Sequence, residues 1–149
     1  MAKNISYYDF LFLPIMTKNE LRTQYKALRT HLSEAEIEEK SLAIANGVLA
    51  LDIWDKTYFH VFLPIEEQKE VNTEFLLHLL SGKDKEIVIS KSNFTTRKMT
   101  HFLLTDNTKI KTNDYHIPEP VDGIEVPSSK IQVVFVPLLA FDTVGNRVG

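Results

Sequence analysis

Two runs of aromatic and β-branched residues, 58–63 (YFHVFL) and 131–136 (IQVVFV), constrain this chain more than any other feature. Each is stopped by a proline, Pro64 and Pro137, which has no N–H to give a sheet ladder. Both therefore read as strands. Their apolar character is nearly continuous, which fits strands covered on both faces, as in an α/β sheet flanked by helices. Ligands of such sheets bind beyond the carboxyl ends of the strands. Functional residues are thus expected after Leu63, after Ser90 and after Val136.

The segments between these runs carry helical signals. Thr17 with Glu20 is a capping-box pattern, and Leu21, Tyr25, Leu28 and Leu32 then recur on one helical face. Ser33 with Glu36 repeats the box, so a second helix follows almost without a loop, its apolar stripe supplied by Ile37, Ile44, Val48 and Leu51. A third helix is capped by Asn72 or Thr73, runs through Phe75, Leu76, Leu79 and Leu80, and ends at Gly82. Shorter strands are expected at 86–90 (EIVIS) and 99–104 (MTHFLL), and 105–129, rich in Pro, Asn and Asp, reads mostly as loop.

Composition narrows the function classes. A length of 149 residues suits one domain. There is no cysteine, which excludes disulfides, zinc–thiolate sites and thiol nucleophiles and fits a reducing, cytoplasmic compartment. The net charge of −3 gives no long-range pull on nucleic acid or anionic lipid. No stretch reaches the about 18 uninterrupted apolar residues of a membrane span. The apolar run 10–16 is broken by Pro14, preceded by Asp9 and lacks a small-residue cleavage site, so a signal peptide is rejected. Either 7–13 forms a short extra strand or the functional domain begins near Met16, leaving 1–16 as an extension and 17–149 as the α/β domain.

The residues at the strand ends allow two readings each. After the first strand comes 64–73 (PIEEQKEVNT). Glu70 and Asn72 there could hydrogen-bond a heterocycle bearing amide or amino groups, or Asn72 simply caps the next helix while the glutamates are solvated. After the last strand, Arg147 follows a Gly145–Asn146 turn and either clamps a phosphate or sits in a surface ion pair. Lys91, Arg97 and Lys98 make a basic group that is either a solvated loop or a site for an anionic tail. The five histidines, His31, His60, His78, His101 and His116, show no metal spacing and take packing or surface roles. Neither a nucleophile elbow nor a Walker A motif is present.

In order along the chain, several segments together resemble the 5-formyltetrahydrofolate cyclo-ligase (methenyltetrahydrofolate synthetase) family. They are Lys18–Asn19–Glu20–Leu21–Arg22 at the first helix, Leu28–Arg29 with Ser33, Phe62–Leu63–Pro64–Ile65 followed by Glu70–Val71–Asn72–Thr73, and Met99. Ile117–Pro118–Glu119–Pro120 follows, then Val136–Pro137–Leu138–Leu139–Ala140–Phe141–Asp142 with Gly145–Asn146–Arg147. The resemblance covers Lys18 to Gly149, and its Ala–Phe–Asp to Gly–Asn–Arg segment is the most specific part.

This resemblance implies a three-layer α/β fold with helices on both faces of the sheet, similar to sugar-phosphate isomerase and CoA-transferase domains. It implies ATP- and Mg²⁺-dependent cyclisation of 5-formyltetrahydrofolate to 5,10-methenyltetrahydrofolate with release of ADP and phosphate. Phosphorylating the formyl oxygen turns a poor electrophile into a good one, and attack by N10 is then intramolecular. Lys18, Arg22, Asn146, Arg147 and Gly149 would contact ATP, while Ile65, Glu70 and Asn72 would line the folate pocket. The family pattern continues past this Arg-x-Gly into a glycine-rich loop (G-x-G-K-G-x-Y-D-R) whose Asp helps hold Mg²⁺. Its absence leaves no metal ligand in these residues, gives the chain the look of a C-terminal truncation and leads to the expectation of impaired activity. The expected partner is the folate substrate, with a polyglutamate tail received by Lys91, Arg97 and Lys98 as a hypothesis from charge. A nucleic acid or membrane is not expected, and the chain is expected to be monomeric. The alternatives are a non-catalytic folate- or nucleotide-binding relative, an isomerase or acyl-CoA transferase using Glu70, and an interaction module.

Overall fold

β1 (Tyr58–His60) lies between two parallel neighbours, β2 (Glu86–Asn93) and β6 (Val133–Val134). β3 (Lys98–Leu103) closes the other edge antiparallel to β2, giving the order β3-β2-β1-β6. The structure is a computed structural model that describes residues 16–149. The chain divides into two compact units: Arg29–Pro137, which holds this mixed sheet, and a smaller unit whose described residues are 16–28 and Leu138–Gly149. The signal-peptide, strand and extension readings of the N-terminal stretch fall on residues outside those described, except at Met16.

Helix formation follows the caps. α1 (Lys18–Thr30) opens on Thr17, whose backbone N–H and hydroxyl both donate to Glu20 Oε2 (2.7 and 2.9 Å). α2 (Glu34–Val48) opens on a complete capping box between Ser33 and Glu36. These bonds to the ionised form hold both glutamate carboxyls below their usual range. α3 (Glu74–Gly82) begins after Thr73, but the cap comes from its neighbour: Asn72 Oδ1 accepts from Glu74 N–H (3.0 Å). The Thr73 hydroxyl donates instead to the Phe62 carbonyl (3.0 Å), tying the helix start to the chain just beyond β1.

The core of the larger unit forms on one sheet face. Phe59 and Val61 are fully buried with Ile87 and Leu80. Phe59 stacks between Trp54 (centroids 6.2 Å) and Phe135 (6.4 Å). A second cluster joins Ala45 and Val48 of α2 to Leu76 of α3, and Ile53, Trp54 and Phe135 border both clusters. α3 thus packs on this face and α2 packs against α3. β6 is placed by main-chain bonds from Gln132 N–H to Tyr58 O (3.0 Å) and Phe135 N–H to His60 O (2.9 Å), while Gln132 Oε1 accepts from the N–H groups of Thr57 and Tyr58.

Several expectations need correction. The stripe of α2 turns inward at Ser41, Ala45 and Val48, while Ile44 and Leu51 are nearly half exposed. Ser41 is inward because its hydroxyl accepts from Asn72 N–H (2.9 Å), a polar contact that hydrophobic counting cannot find. α1 forms as its periodicity predicts yet buries none of its residues, with Tyr25 and Leu28 exposed. The 131–136 run supplies only a two-residue strand, although its flanking bonds extend the pairing. The presumed loop 105–129 contains a ribbon of β4 (Ile110–Thr112) and β5 (Pro118–Pro120). Its prolines fit because the flanking bonds come from elsewhere, Asn113 N–H to Ile117 O (3.0 Å) and Val121 N–H to Lys109 O (2.9 Å).

Phe59→Ala should lower the unfolding free energy by about 3–5 kcal/mol, because it removes a whole ring from a packed core. Ile44→Ala should cost under about 1 kcal/mol. Urea unfolding of both variants checks the inward face assigned to the sheet and to α2.

Candidate functional site

In the larger unit, the segment after β1 is a closed turn. A short 3-10 segment, Glu66–Gln68, leads to Lys69 in the left-handed conformation (φ 51°, ψ 45°). That reversal returns Glu70 to the start of the turn, where its Oε2 accepts from Ile65 N–H (2.9 Å). The other carboxylate oxygen lies 4.0 Å from Arg29 Nη1, and both side chains are about one-fifth exposed. A pair this loose contributes at most about 1 kcal/mol, so it orients the groups more than it holds the fold. Arg29 also donates to Gln68 Oε1 (3.3 Å), and Lys69 Nζ donates to the carbonyls of Thr30 (2.9 Å) and Leu32 (2.5 Å).

Ile65 and Glu70 are therefore brought together, as their proposed shared role requires. Asn72 takes a different direction. Its amide nitrogen donates to Glu38 Oε1 on α2 (2.8 Å) while its oxygen caps α3, so both ends of the side chain have structural partners. The capping reading of Asn72 is the one the geometry displays. Arg29 and Lys69 were not singled out as site residues from sequence. Arg29 lay in a quoted motif, but its partner Glu70 is far along the chain, and nothing in the sequence marks a lysine for positive φ.

In the smaller unit, β7 (Ala140–Phe141) pairs antiparallel with β8 (Arg147–Val148). Asp142 organises the connecting turn. Its Oδ1 accepts from the N–H groups of Val144 (3.0 Å) and Asn146 (2.8 Å), and its Oδ2 accepts from the Asn146 side chain (2.8 Å). Gly145 at φ 87° supplies the backbone conformation this closure needs. The Asn146 side-chain bond foremost, then the backbone N–H bonds, hold the Asp142 carboxyl below its usual range. Asn146, expected at the nucleotide, is thus occupied in fixing the turn.

The turn delivers Arg147 to β8 exposed, its side chain with no hydrogen bond or ion pair among the described residues. Lys18 is likewise exposed. It stands one turn before Arg22, so the two share a helix face. Arg22 donates from Nε to the Gly149 carbonyl (3.1 Å) and from Nη1 to Asn19 Oδ1 (3.0 Å). Gly149 is two residues beyond Arg147, a span of at most about 7 Å along extended chain. The Arg22 guanidinium and Arg147 consequently belong to one neighbourhood of this unit, and such cations suit a polyanion. Lys18, Arg22, Asn146, Arg147 and Gly149 lie in the smaller unit, and Ile65, Glu70 and Asn72 lie in the larger. Among the described residues no group of three or more His, Asp or Glu side chains is arranged to hold a metal ion, and no helix is long and apolar enough to cross a membrane.

Comparison with known proteins gives a consistent result. The profile of the 5-formyltetrahydrofolate cyclo-ligase family matches residues 14–149. A 5-formyltetrahydrofolate cyclo-ligase of Haemophilus influenzae is 24% identical over 135 residues, covering 89% of this chain and 72% of the relative. One from Mus musculus is 27% identical over 141 residues, covering 89% and 68%. Among solved structures, the NMR structure of Aquifex aeolicus 5,10-methenyltetrahydrofolate synthetase is similar with a TM-score of 0.75 at 26% identity, over 90% of this chain and 67% of that one. A 5,10-methenyltetrahydrofolate synthetase from Mycoplasma pneumoniae, at 18% identity and a TM-score of 0.65, covers 90% and 71% and shares the fold.

Asn72→Ala removes the α3 cap and the link to Glu38 and should destabilise the chain by about 1–2 kcal/mol. Arg147→Ala should change stability by less than about 0.5 kcal/mol, since its exposed side chain gives up no hydrogen bond or ion pair among the described residues. Thermal or urea unfolding separates the structural residue from the uncommitted one.

Proposed function

This chain belongs to the 5-formyltetrahydrofolate cyclo-ligase family, and from that membership we propose that it cyclises 5-formyltetrahydrofolate to 5,10-methenyltetrahydrofolate, consuming ATP and releasing ADP and phosphate. The observation that carries this reading is the family match across residues 14–149, which includes every described residue. The cationic set of the smaller unit supports it. Lys18, Arg22 and Arg147 would hold the phosphates, with Asn146 and Gly149 beside them. Arg147 has a planar fork for phosphate oxygens and no intramolecular partner to give up among the described residues. The nucleotide supplies the phosphoryl group that makes the formyl oxygen a leaving group.

In the larger unit, Glu70 is set by Ile65 N–H and faces Arg29, and it accepts a hydrogen bond from the folate ring. Ile65 gives the ring an apolar wall. Asn72 completes this set, although its amide must share its existing bonds to Glu38 and Glu74. Fixing the substrate makes the N10 attack intramolecular, and orientation of that kind is worth far more than a strong nucleophile on the protein. The described residues do not assemble ligands for Mg²⁺. The same proposal includes helices on both faces of the complete sheet, a monomeric cytoplasmic protein, and a polyglutamate tail on the substrate received by Lys91, Arg97 and Lys98. It also holds that residues 1–149 taken alone turn over slowly, because the family's glycine-rich phosphate loop lies outside them.

Incubation with 5-formyltetrahydrofolate, ATP and Mg²⁺ tests the reading through the absorbance of the methenyl product. A version extended through a glycine-rich loop should form it readily and the 149-residue chain much more slowly. No product from the extended version would overturn the assignment, and equal rates would remove the claim of impairment. Arg147→Ala in the extended version should weaken nucleotide use by roughly 2–4 kcal/mol, about 30- to 700-fold. A loss below about 1 kcal/mol would return Arg147 to the surface.

A further inference from the structure

Opposite the packed face, the sheet of the larger unit carries a polar seam unrelated to the residues assigned above. The register places His60 beside Val88 and Ser90 beside His101, so His60, Val88, Ser90, His101 and Leu103 share that face. Ser90 Oγ lies 2.7 Å from His60 Nε2 and 2.7 Å from His101 Nδ1. The two imidazoles meet edge to face with centroids 5.9 Å apart. One hydroxyl on β2 therefore bridges a ring on β1 to a ring on β3. The second nitrogen of His60, Nδ1, is buried and has no partner among the described residues.

That unpaired nitrogen selects the proton arrangement. Orphaned buried N–H groups are rarer than under-satisfied acceptors, and a proton on Nε2 has Ser90 Oγ to bond, so the proton of neutral His60 belongs on Nε2. Nε2–H then donates to Ser90 Oγ, and the Ser90 hydroxyl donates onward to His101 Nδ1. A proton added at His60 Nδ1 would be buried and unpaired. A proton added at His101 Nδ1 would leave Ser90 Oγ accepting from both sides, with its own hydrogen turned out of the chain.

We propose that His60, Ser90 and His101 act as one hydroxyl-bridged proton switch across β1, β2 and β3, taking up a single proton on acidification and keeping it off His60. Burial, and then the nearby His101, hold His60 below its ordinary value, in keeping with this arrangement. The other titratable groups that the register sets on this face are Tyr58 of β1, whose ring has Lys130 over it at 5.8 Å, and Glu86 of β2 beside Tyr58. From the packed ribbon, Glu119 of β5 accepts from Ser92 N–H (2.8 Å), two residues beyond Ser90. Neither Glu86 nor Glu119 bonds either ring. The switch couples acidity to the sheet because a proton that the unfolded chain accepts at His60 would lie buried and unpaired at Nδ1 in the folded one. Unfolded His60 binds its proton near pH 6.5, and the folded chain resists doing so. Stability from this seam is thus complete above that pH and falls as the pH drops below it.

The test is proton–nitrogen correlation NMR on the 149-residue chain with 15N-labelled histidine, titrated from pH 8 to pH 5, with urea-unfolded chain as reference. His60 should show the Nε2–H tautomer at pH 8 and remain neutral at pH values where the unfolded chain's histidines are already charged. Ser90→Ala should break the coupling, so that titrating one ring no longer shifts the resonances of the other. His101→Phe should raise the His60 midpoint and provides the same reading if the serine variant folds poorly. An Nδ1–H tautomer at His60, a His60 midpoint equal to that of the unfolded chain, or coupling unchanged in Ser90→Ala would overturn the proposal. The outcome is independent of cyclo-ligase activity, because no folate or nucleotide enters the experiment.

Discussion

The structure of the larger unit depends on burying one aromatic ring at the centre of a short parallel strand. Phe59 has no exposed surface, and it meets Trp54 before the strand, Phe135 beyond β6 and Leu80 of α3. Full burial of such a ring contributes roughly 1.5–3 kcal/mol from area alone. Its position matters more than its share of the total. Parallel strands cannot be joined by a hairpin, so β1, β2 and β6 come together only if the intervening chain folds back over the sheet. The contacts around Phe59 reward that return.

Polar side chains then set local geometry at places the apolar core does not reach. Ser33 with Glu36, Thr17 with Glu20, and Asp142 with Asn146 each close a helix start or a turn by pairing a carboxylate with nearby donors. Ser41, Asn72 and Glu38 link α2 to the approach of α3. In these exposed or half-buried places each bond contributes modestly. Their effect is directional: they decide which side chains remain uncommitted. Arg147 is uncommitted because Asn146 and Asp142 bond each other, whereas Asn72 is committed because Glu38 and the α3 terminus both reach it.

Much of this was legible in the residues. Capping boxes are local, spanning three residues, and both appeared where the pattern placed them. The proline-stopped runs identified the strands, and the family followed from ordered motifs that the family match then bore out. The misreadings share one cause. Ile44 and Leu51 were read inward because hydrophobic periodicity ignores Ser41, whose inward turn is fixed by a residue 31 positions away. The Pro-rich stretch hid a ribbon because Pro118 and Pro120 occupy positions where the ladder asks for no N–H. Lys69 in the left-handed region carries no signal in a single sequence.

The sequence alone determined the elements and the family, because both rest on short-range chemistry: periodicity, caps, breakers and motif order. Only the tertiary structure decided which polar groups are already satisfied. It gave Asn72 to α2 and α3, left the Arg147 side chain without a partner among the described residues, and set His60 against Ser90 by a hydrogen bond and edge-on to His101. The reason is that hydrogen-bond partners in a sheet come from strands distant in the chain. A residue's neighbours are then set by register and packing, which the local pattern of side chains does not contain.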